Sequence, residues 1–113
     1  MKLLFSVLLL AGAAQEKTER LLVLGNSITR HGPAPKIGWT GDWGMAASAE
    51  EKDFVHLVSR GLGSPALKAM NIADFERDLE ASDVQARFKA AWDFKPTLVI
   101  VAIGENVAAL QSD

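Results

Sequence analysis

The sequence predicts an α/β fold in which helices cover both faces of a parallel sheet. Two apolar runs, residues 20–25 and 97–103, lack the alternation of a half-exposed strand, so each is expected to be buried on both faces. Segments with helical periodicity lie between them, together with a weaker strand signal at residues 66–70. The resulting order of strand, helix, strand, helix, strand implies right-handed crossovers within one sheet.

The first fourteen residues are expected to be a secretory signal peptide. Met1 and Lys2 give a positive start, residues 3–10 are almost continuously apolar, and residues 11–14 are small. This layout is typical of a cleaved signal, and its apolar run is too short to span a bilayer. Residues 15–113 then form one small secreted or periplasmic domain, with no membrane contact after cleavage.

Charge and cysteine content exclude several classes of function. The chain has 14 acidic and 12 basic residues and a net charge of −2, so a nucleic-acid partner is not expected. The absence of cysteine excludes a disulfide framework, a thiolate metal site and a cysteine nucleophile. The glycine fingerprint of dinucleotide-binding proteins is also missing, and we expect neither cofactor nor metal.

The segment after the first strand is predicted to be a long loop that leads into a helix. Residues 25–44 are rich in glycine and proline, yet they contain tryptophans that argue against disorder. Ser48 and Glu51 have the spacing of a capping box and predict the start of the helix. Apolar residues then recur at helical spacing until Gly61 and Gly63.

Two further helices are predicted between the second and third strands. Phe75 and Leu79 indicate one or two turns, and Ser82 with Gln85 forms another capping box. The helix it opens has an expected inner side made of Val84, Phe88, Ala91 and Trp92. The charged run at residues 74–87 is interpreted as a solvated helix surface.

Polar turns follow the first and third strands, and these are the candidate sites of chemistry. If the strand order is 2-1-3, residues 25–27 and 104–106 meet where ligands bind in open parallel sheets. Ser27 in such a turn is either an exposed nucleophile or, with Thr29, a cap of a helical turn. The amide of Asn106 is either a donor to an oxyanion or a partner of its own backbone.

These residues resemble a known family. Residues 24–29, Leu-Gly-Asn-Ser-Ile-Thr, are similar to the first sequence block of the SGNH, or GDSL-like, hydrolases, and residues 95–106 are similar to the third. The resemblance extends over residues 21–107, and residues 39–48 and 71–77 look like those of a secreted bacterial subgroup. It implies a flavodoxin-like three-layer α/β/α sandwich and hydrolysis of carboxylic esters, often acyl groups on carbohydrates or lipids. Ser27 would be the nucleophile, and Asn106 would donate to the oxyanion.

The sequence departs from the family pattern at four points, two of which are Asn26 and Val107 in place of the family's usual aspartates. The second block usually supplies a glycine N–H to the oxyanion hole, but residues 71–74 contain no glycine, so Asp74 is our first candidate and Gly44 the alternative. The family's base histidine and its aspartate lie in a C-terminal Asp-x-x-His motif. The sequence ends at Asp113, so we expect residues 15–113 to hold the first three strands of such a domain and to have little activity alone.

The substrate-lining candidates are His31, Trp39 and Trp43. Nothing in the sequence orients His31 as a base, and His56 is expected to serve helix packing. Each tryptophan either stacks on a sugar ring or anchors the long loop. The resemblance therefore implies a serine esterase acting on a small or carbohydrate ester, and the alternative is a secreted carbohydrate-binding or degenerate protein without catalysis.

Overall fold

The sheet has three parallel strands. The computed structural model describes residues 17–80 and 82–107, and the signal peptide expected at residues 1–14 lies outside them. The strands are β1 (Arg20–Gly25), β2 (Ala66–Asn71) and β3 (Leu98–Ala102), and they are ordered β2-β1-β3. Both pairings are parallel, so the predicted sheet and its strand order are confirmed.

Helices lie against both faces of the sheet. They are α1 (Phe54–Gly61), α2 (Ala73–Arg77) and α3 (Ser82–Asp93), with two short 3₁₀ turns at Pro35–Ile37 and Glu50–Lys52. None of the helices in the described part of the chain is long and apolar enough to cross a membrane.

The central strand β1 divides the core into two halves. Leu21 and Val23 face α1 and pack with Val55, whereas Leu22 and Leu24 face α2 and α3. These four side chains of β1 are almost fully buried, because the strand is covered on both faces and paired on both edges. This arrangement is the predicted three-layer α/β/α sandwich.

The start of α1 differs from the prediction. Ser48 is exposed and does not cap the helix, which begins at Phe54. Asp53 is the N-cap instead, since its Oδ1 accepts a hydrogen bond from the His56 backbone N–H at 2.8 Å. The capping-box spacing failed here because residues 50–52 form a separate 3₁₀ turn before the helix.

The inner sides of the later helices also differ in part. The helix α2 ends at Arg77, so Leu79 lies beyond it and is exposed. Phe88 and Ala91 face the core as predicted, but Trp92 is 57% exposed, and Phe94 packs against the core beyond the end of α3. The predicted roles of Ser82 and Val84 fall on side chains outside those that the structure describes.

The outer edge of β3 has no partner strand among residues 17–80 and 82–107. Two of its apolar side chains, Leu98 and Val101, are exposed at 36% and 53%. An apolar strand edge of this kind is a site where another strand can pair.

The predicted long loop between β1 and α1 is held against the turn after β1. The Met45 N–H donates to the Ser27 carbonyl at 2.9 Å, and the Gly44 N–H donates to the Asp53 carboxylate at 3.0 Å. A Cβ atom at Gly44 would lie 2.1 Å from the Ile28 carbonyl oxygen. The loop thus approaches the turn so closely that only glycine fits at this position.

We expect Gly44→Ala to lower the free energy of unfolding by about 1–3 kcal/mol, because backbone must move to admit the methyl group. Gly61→Ala is the matched control, since a Cβ there meets no atom within 4 Å and alanine favours a helix. Urea unfolding followed by tryptophan fluorescence measures both. Equal stability of the two variants would contradict the close approach at Gly44.

Candidate functional site

The two polar turns lie side by side at the carboxyl end of the sheet. Gly25 and Ala102 are paired in the register of β1 and β3, so the turns leave the sheet at the same level. The Asn26 amide then donates to the Glu105 carboxylate at 2.6 Å. The structure therefore brings together the segments that carry Ser27 and Asn106.

A buried carboxylate on α2 ties these turns together. Glu76 is only 6% exposed, and its two oxygens accept four hydrogen bonds. The backbone N–H groups of Gly104 and Asn106 donate to it, each at 2.9 Å, and so do the side-chain amides of Asn26 and Asn106, at 3.2 and 3.3 Å. One side chain thus connects the turn after β1 to the turn after β3.

The protonation of Glu76 follows from these contacts. Burial acts to raise the pKa of its carboxyl, but the backbone donors of Asn106 and Gly104 and the amides of Asn106 and Asn26 outweigh burial and hold the pKa below its ordinary value. Glu76 is therefore ionised at neutral pH and acts as an acceptor for all four donors.

The turn that carries Ser27 is shaped by Asn26. The Asn26 side-chain oxygen accepts from the Ile28 N–H at 3.1 Å, and its carbonyl accepts from the N–H groups of Thr29 and Arg30, both at 3.0 Å. The Ser27 N–H has no acceptor within the described part of the chain. A backbone donor is thus left free next to the candidate nucleophile.

Ser27 opens into a cavity of about 430 Å³. Six of the eight residues that line it are polar or charged, and the full set is Ser27, His31, Met45, Asn71, Ala73, Asp74, Arg77 and Arg87. Asn106 is not among them, but its side-chain oxygen contacts the Arg77 guanidinium at 3.5 Å. The cavity therefore joins Ser27, His31 and Asp74, with Asn106 one contact away.

The three candidates for the oxyanion hole differ in what their donors contact. The Asp74 N–H is not used by any acceptor in residues 17–80 and 82–107, while its carboxylate contacts Arg77 and Arg87. The Gly44 N–H donates to the Asp53 carboxylate, and Gly44 is not among the residues that line the cavity. The Asn106 amide points to Glu76, as described above.

The two tryptophans have the contacts of loop anchors. Trp39 donates its indole N–H to the His31 carbonyl and Trp43 donates to the Ala47 carbonyl, both at 2.9 Å. Their rings meet edge to face with centroids 5.3 Å apart, and both rings press on Gly41. Neither tryptophan lines the cavity of Ser27.

His56 and Trp43 are among the residues that line a second cavity of about 220 Å³. The His56 Nδ1 lies 2.7 Å from the Asp53 carboxylate, and its Nε2 lies 3.4 Å from Glu50. Burial acts to raise the pKa of Asp53, but donors from Gly44 and His56 hold it below its ordinary value. Asp53 and His56 have Asp-x-x-His spacing and were not among the predicted site residues, but they line a different cavity from Ser27.

Glu76, Arg77 and Arg87 were not among the predicted site residues either, because residues 74–87 were interpreted as a solvated helix surface. That interpretation is wrong for Glu76, which is buried, and for Arg87, which is partly buried and lines the cavity. One signal was present: Glu76 follows the apolar Ile72 by four residues and so shares its helix face.

No protein-family model matches the chain, and neither a curated protein nor a solved structure shows significant similarity to it. No group of three or more histidine, aspartate or glutamate side chains suited to a metal ion occurs in the part of the chain that the structure describes.

We expect Glu76→Gln to lower the free energy of unfolding at pH 7 by about 2 kcal/mol, since the amide replaces an acceptor of charge-assisted bonds by a donor facing other donors. The pKa of Glu76 is depressed by folding, so this contribution is complete above the ordinary glutamate pKa. It disappears as the pH falls through the lower pKa of the folded state.

Urea unfolding from pH 7 down to pH 3 measures the difference. Glu51→Gln makes the same chemical change at an exposed position and should leave stability unchanged. A difference between wild type and Glu76→Gln that stays constant across this range would contradict the role of the ionised carboxylate.

Proposed function

We propose that the protein is a serine ester hydrolase with Ser27 as its nucleophile. The observation that carries the proposal is that Ser27 opens into a polar cavity at the carboxyl end of the central strand, beside backbone N–H groups without acceptors in the described residues. The resemblance of residues 24–29 and 95–106 to the SGNH hydrolases supports the same assignment.

The proposed reaction is acyl transfer. The Ser27 oxygen attacks the ester carbonyl, and its proton passes to the departing alcohol when the carbon–oxygen bond breaks. The negative oxygen of the tetrahedral intermediate is stabilised by the N–H groups of Ser27 and Asp74 and by the one Asn106 amide hydrogen that does not bond to Glu76. Water then releases the acid and restores the serine hydroxyl.

The lining of the cavity favours a polar alcohol over a lipid. Met45 and Ala73 are its apolar lining residues, whereas hydroxyl, amide and charged groups form the rest. Such a surface offers hydrogen bonds to a sugar and little area for an acyl chain of many carbons. We therefore propose a small acyl group on a carbohydrate as the substrate class, and the signal peptide expected from the sequence would place the reaction outside the cytoplasm.

The low rate at which the chain is expected to hydrolyse a chromogenic acetyl ester should disappear in Ser27→Ala, because the proposed acyl-enzyme forms on the Ser27 oxygen. Ser48→Ala is the control, since Ser48 is exposed and lies outside the cavity. A fluorophosphonate should label wild type at Ser27, as read by peptide mass spectrometry. Turnover that survives in Ser27→Ala would refute the proposal.

Asn106→Ala should lower kcat by about 10²-fold with little change in KM, as expected for loss of one oxyanion donor. The fold should survive, because the shorter bond to Glu76 comes from the Asn106 backbone, at 2.9 Å, and not from the side chain, at 3.3 Å.

Gln85→Ala removes an exposed amide from α3 and provides the comparison for Asn106→Ala. Parallel measurements of kcat, KM and urea stability separate catalysis from folding. An unchanged kcat in Asn106→Ala would remove Asn106 from the oxyanion hole.

A further inference from the structure

We propose that the cavity of Ser27 binds an acidic carbohydrate whose carboxylate pairs with Arg77; this inference deepens the proposed function and rests on it. The chain as a whole is slightly acidic, with a net charge of −2. Apart from His31, however, the ionisable side chains that line the cavity are Arg77, Arg87 and Asp74. Two cations and one anion give the cavity a local excess of positive charge, which attracts anionic ligands.

Arg87 is held in place by acceptors within the protein. It donates to the Asn71 carbonyl at 3.1 Å, to the Asp74 carboxylate at 3.2 Å and to the Asp83 carboxylate at 3.3 Å. Asp83 compensates its charge from outside the cavity lining. Arg87 thus engages one oxygen of Asp74, and the carboxylate that faces Arg77 is shared between two guanidinium groups.

The guanidinium of Arg77 has only long contacts with the protein. It lies 3.4 Å from the Asp74 carboxylate and 3.5 Å from the Asn106 side-chain oxygen, whereas charge-assisted bonds to a carboxylate measure about 2.7–2.9 Å. The Arg77 and Asp74 side chains are 58% and 60% exposed, and ion pairs this exposed contribute little free energy. A ligand carboxylate can therefore bind Arg77 without first breaking a strong bond.

The chemistry of arginine favours a carboxylate as this ligand group. A planar guanidinium pairs with a carboxylate through two parallel hydrogen bonds, and the Arg77 Nε–H has no acceptor among residues 17–80 and 82–107. The lining residues have an excess of one positive charge, which matches a monoanionic carboxylate better than a dianionic phosphate.

The position of Arg77 relates this carboxylate to the proposed reaction. Arg77 contacts Asp74 and Asn106, which carry two of the proposed oxyanion donors. The cavity of about 430 Å³ is near the lower end of the range for small-molecule sites. The acid group and the ester therefore belong to the same sugar unit or to neighbouring units, and Arg77 selects for the acid.

The test compares two ligands that differ in the acid group alone. Methyl β-D-glucuronide carries a carboxylate where methyl β-D-glucoside carries a hydroxymethyl group. Each is titrated into the nitrogen-15-labelled chain at neutral pH, and NMR follows the backbone signals of Ser27 and Asp74 and the Nε–H signal of Arg77. The glucuronide should bind about 10-fold more tightly, as expected for one charge-assisted pair. Added salt should weaken this preference, because it screens an exposed charge pair.

Arg77→Gln should lower the affinity for the glucuronide about 10-fold, to that for the glucoside, and leave the glucoside affinity unchanged. Arg60→Gln is the matched control, since Arg60 is an exposed arginine on α1 outside the cavity, and it should keep the wild-type preference. Equal affinity of wild type for the two ligands, or a preference that survives in Arg77→Gln, would overturn the role of Arg77.

The outcomes separate this role from the function on which it rests. If Arg77→Gln loses its fold by circular dichroism, the salt dependence in wild type decides, and a preference that salt does not weaken counts against an ion pair. Fluorophosphonate labelling of Ser27 tests the hydrolase independently. Labelling without a preference for the glucuronide overturns only the acidic ligand, whereas a preference without labelling supports the acidic ligand and counts against the hydrolase.

Discussion

The carboxylate of Glu76 is the contact on which the candidate site depends. An ionised carboxylate in a buried position costs several kcal/mol unless hydrogen bonds replace its water. Here four donors from Asn26, Gly104 and Asn106 do so. Since those donors belong to both strand-end turns, the turns take their relative position from α2 rather than from the sheet alone. A shift of this short helix would separate Ser27 from Asn106.

A second buried carboxylate has the same function on the other side of β1. Asp53 accepts from Gly44 in the long loop and from the backbone and ring of His56 in α1. The long loop between β1 and α1 is thus hydrogen-bonded to the start of α1, just as the turn after β3 is hydrogen-bonded to α2. In both places the acceptor is an ionised carboxylate whose pKa is held below its ordinary value. The groups that position these loops therefore also stabilise the fold above the acid range.

Much of the fold could be predicted because its signals are local or depend only on topology. The apolar runs of β1 and β3 were sufficient to predict a parallel sheet, and the observed strand order is the one in which the polar turns after them meet. The start of α1 could not be derived from the spacing of Ser48 and Glu51. The N-cap is Asp53, and its carboxylate also accepts a hydrogen bond from the Gly44 N–H in the preceding loop. Burial of Glu76 was hidden for the same reason: three of its partners lie in Gly104 and Asn106, far along the chain.

The two histidines show why spacing does not decide a catalytic role. Asp53 and His56 have the separation of a base and its orienting acid, yet their hydrogen bond serves the cap of α1 and faces a cavity without Ser27. His31 has no acid partner within the described residues; its Nδ1 lies 2.6 Å from the carbonyl oxygen of the next residue, and its ring lines the cavity of Ser27. A backbone acceptor leaves no pattern in a sequence, because any residue supplies one. The surroundings of each ring are therefore defined by the cavity that the ring lines and by the acceptor next to its Nδ1 atom.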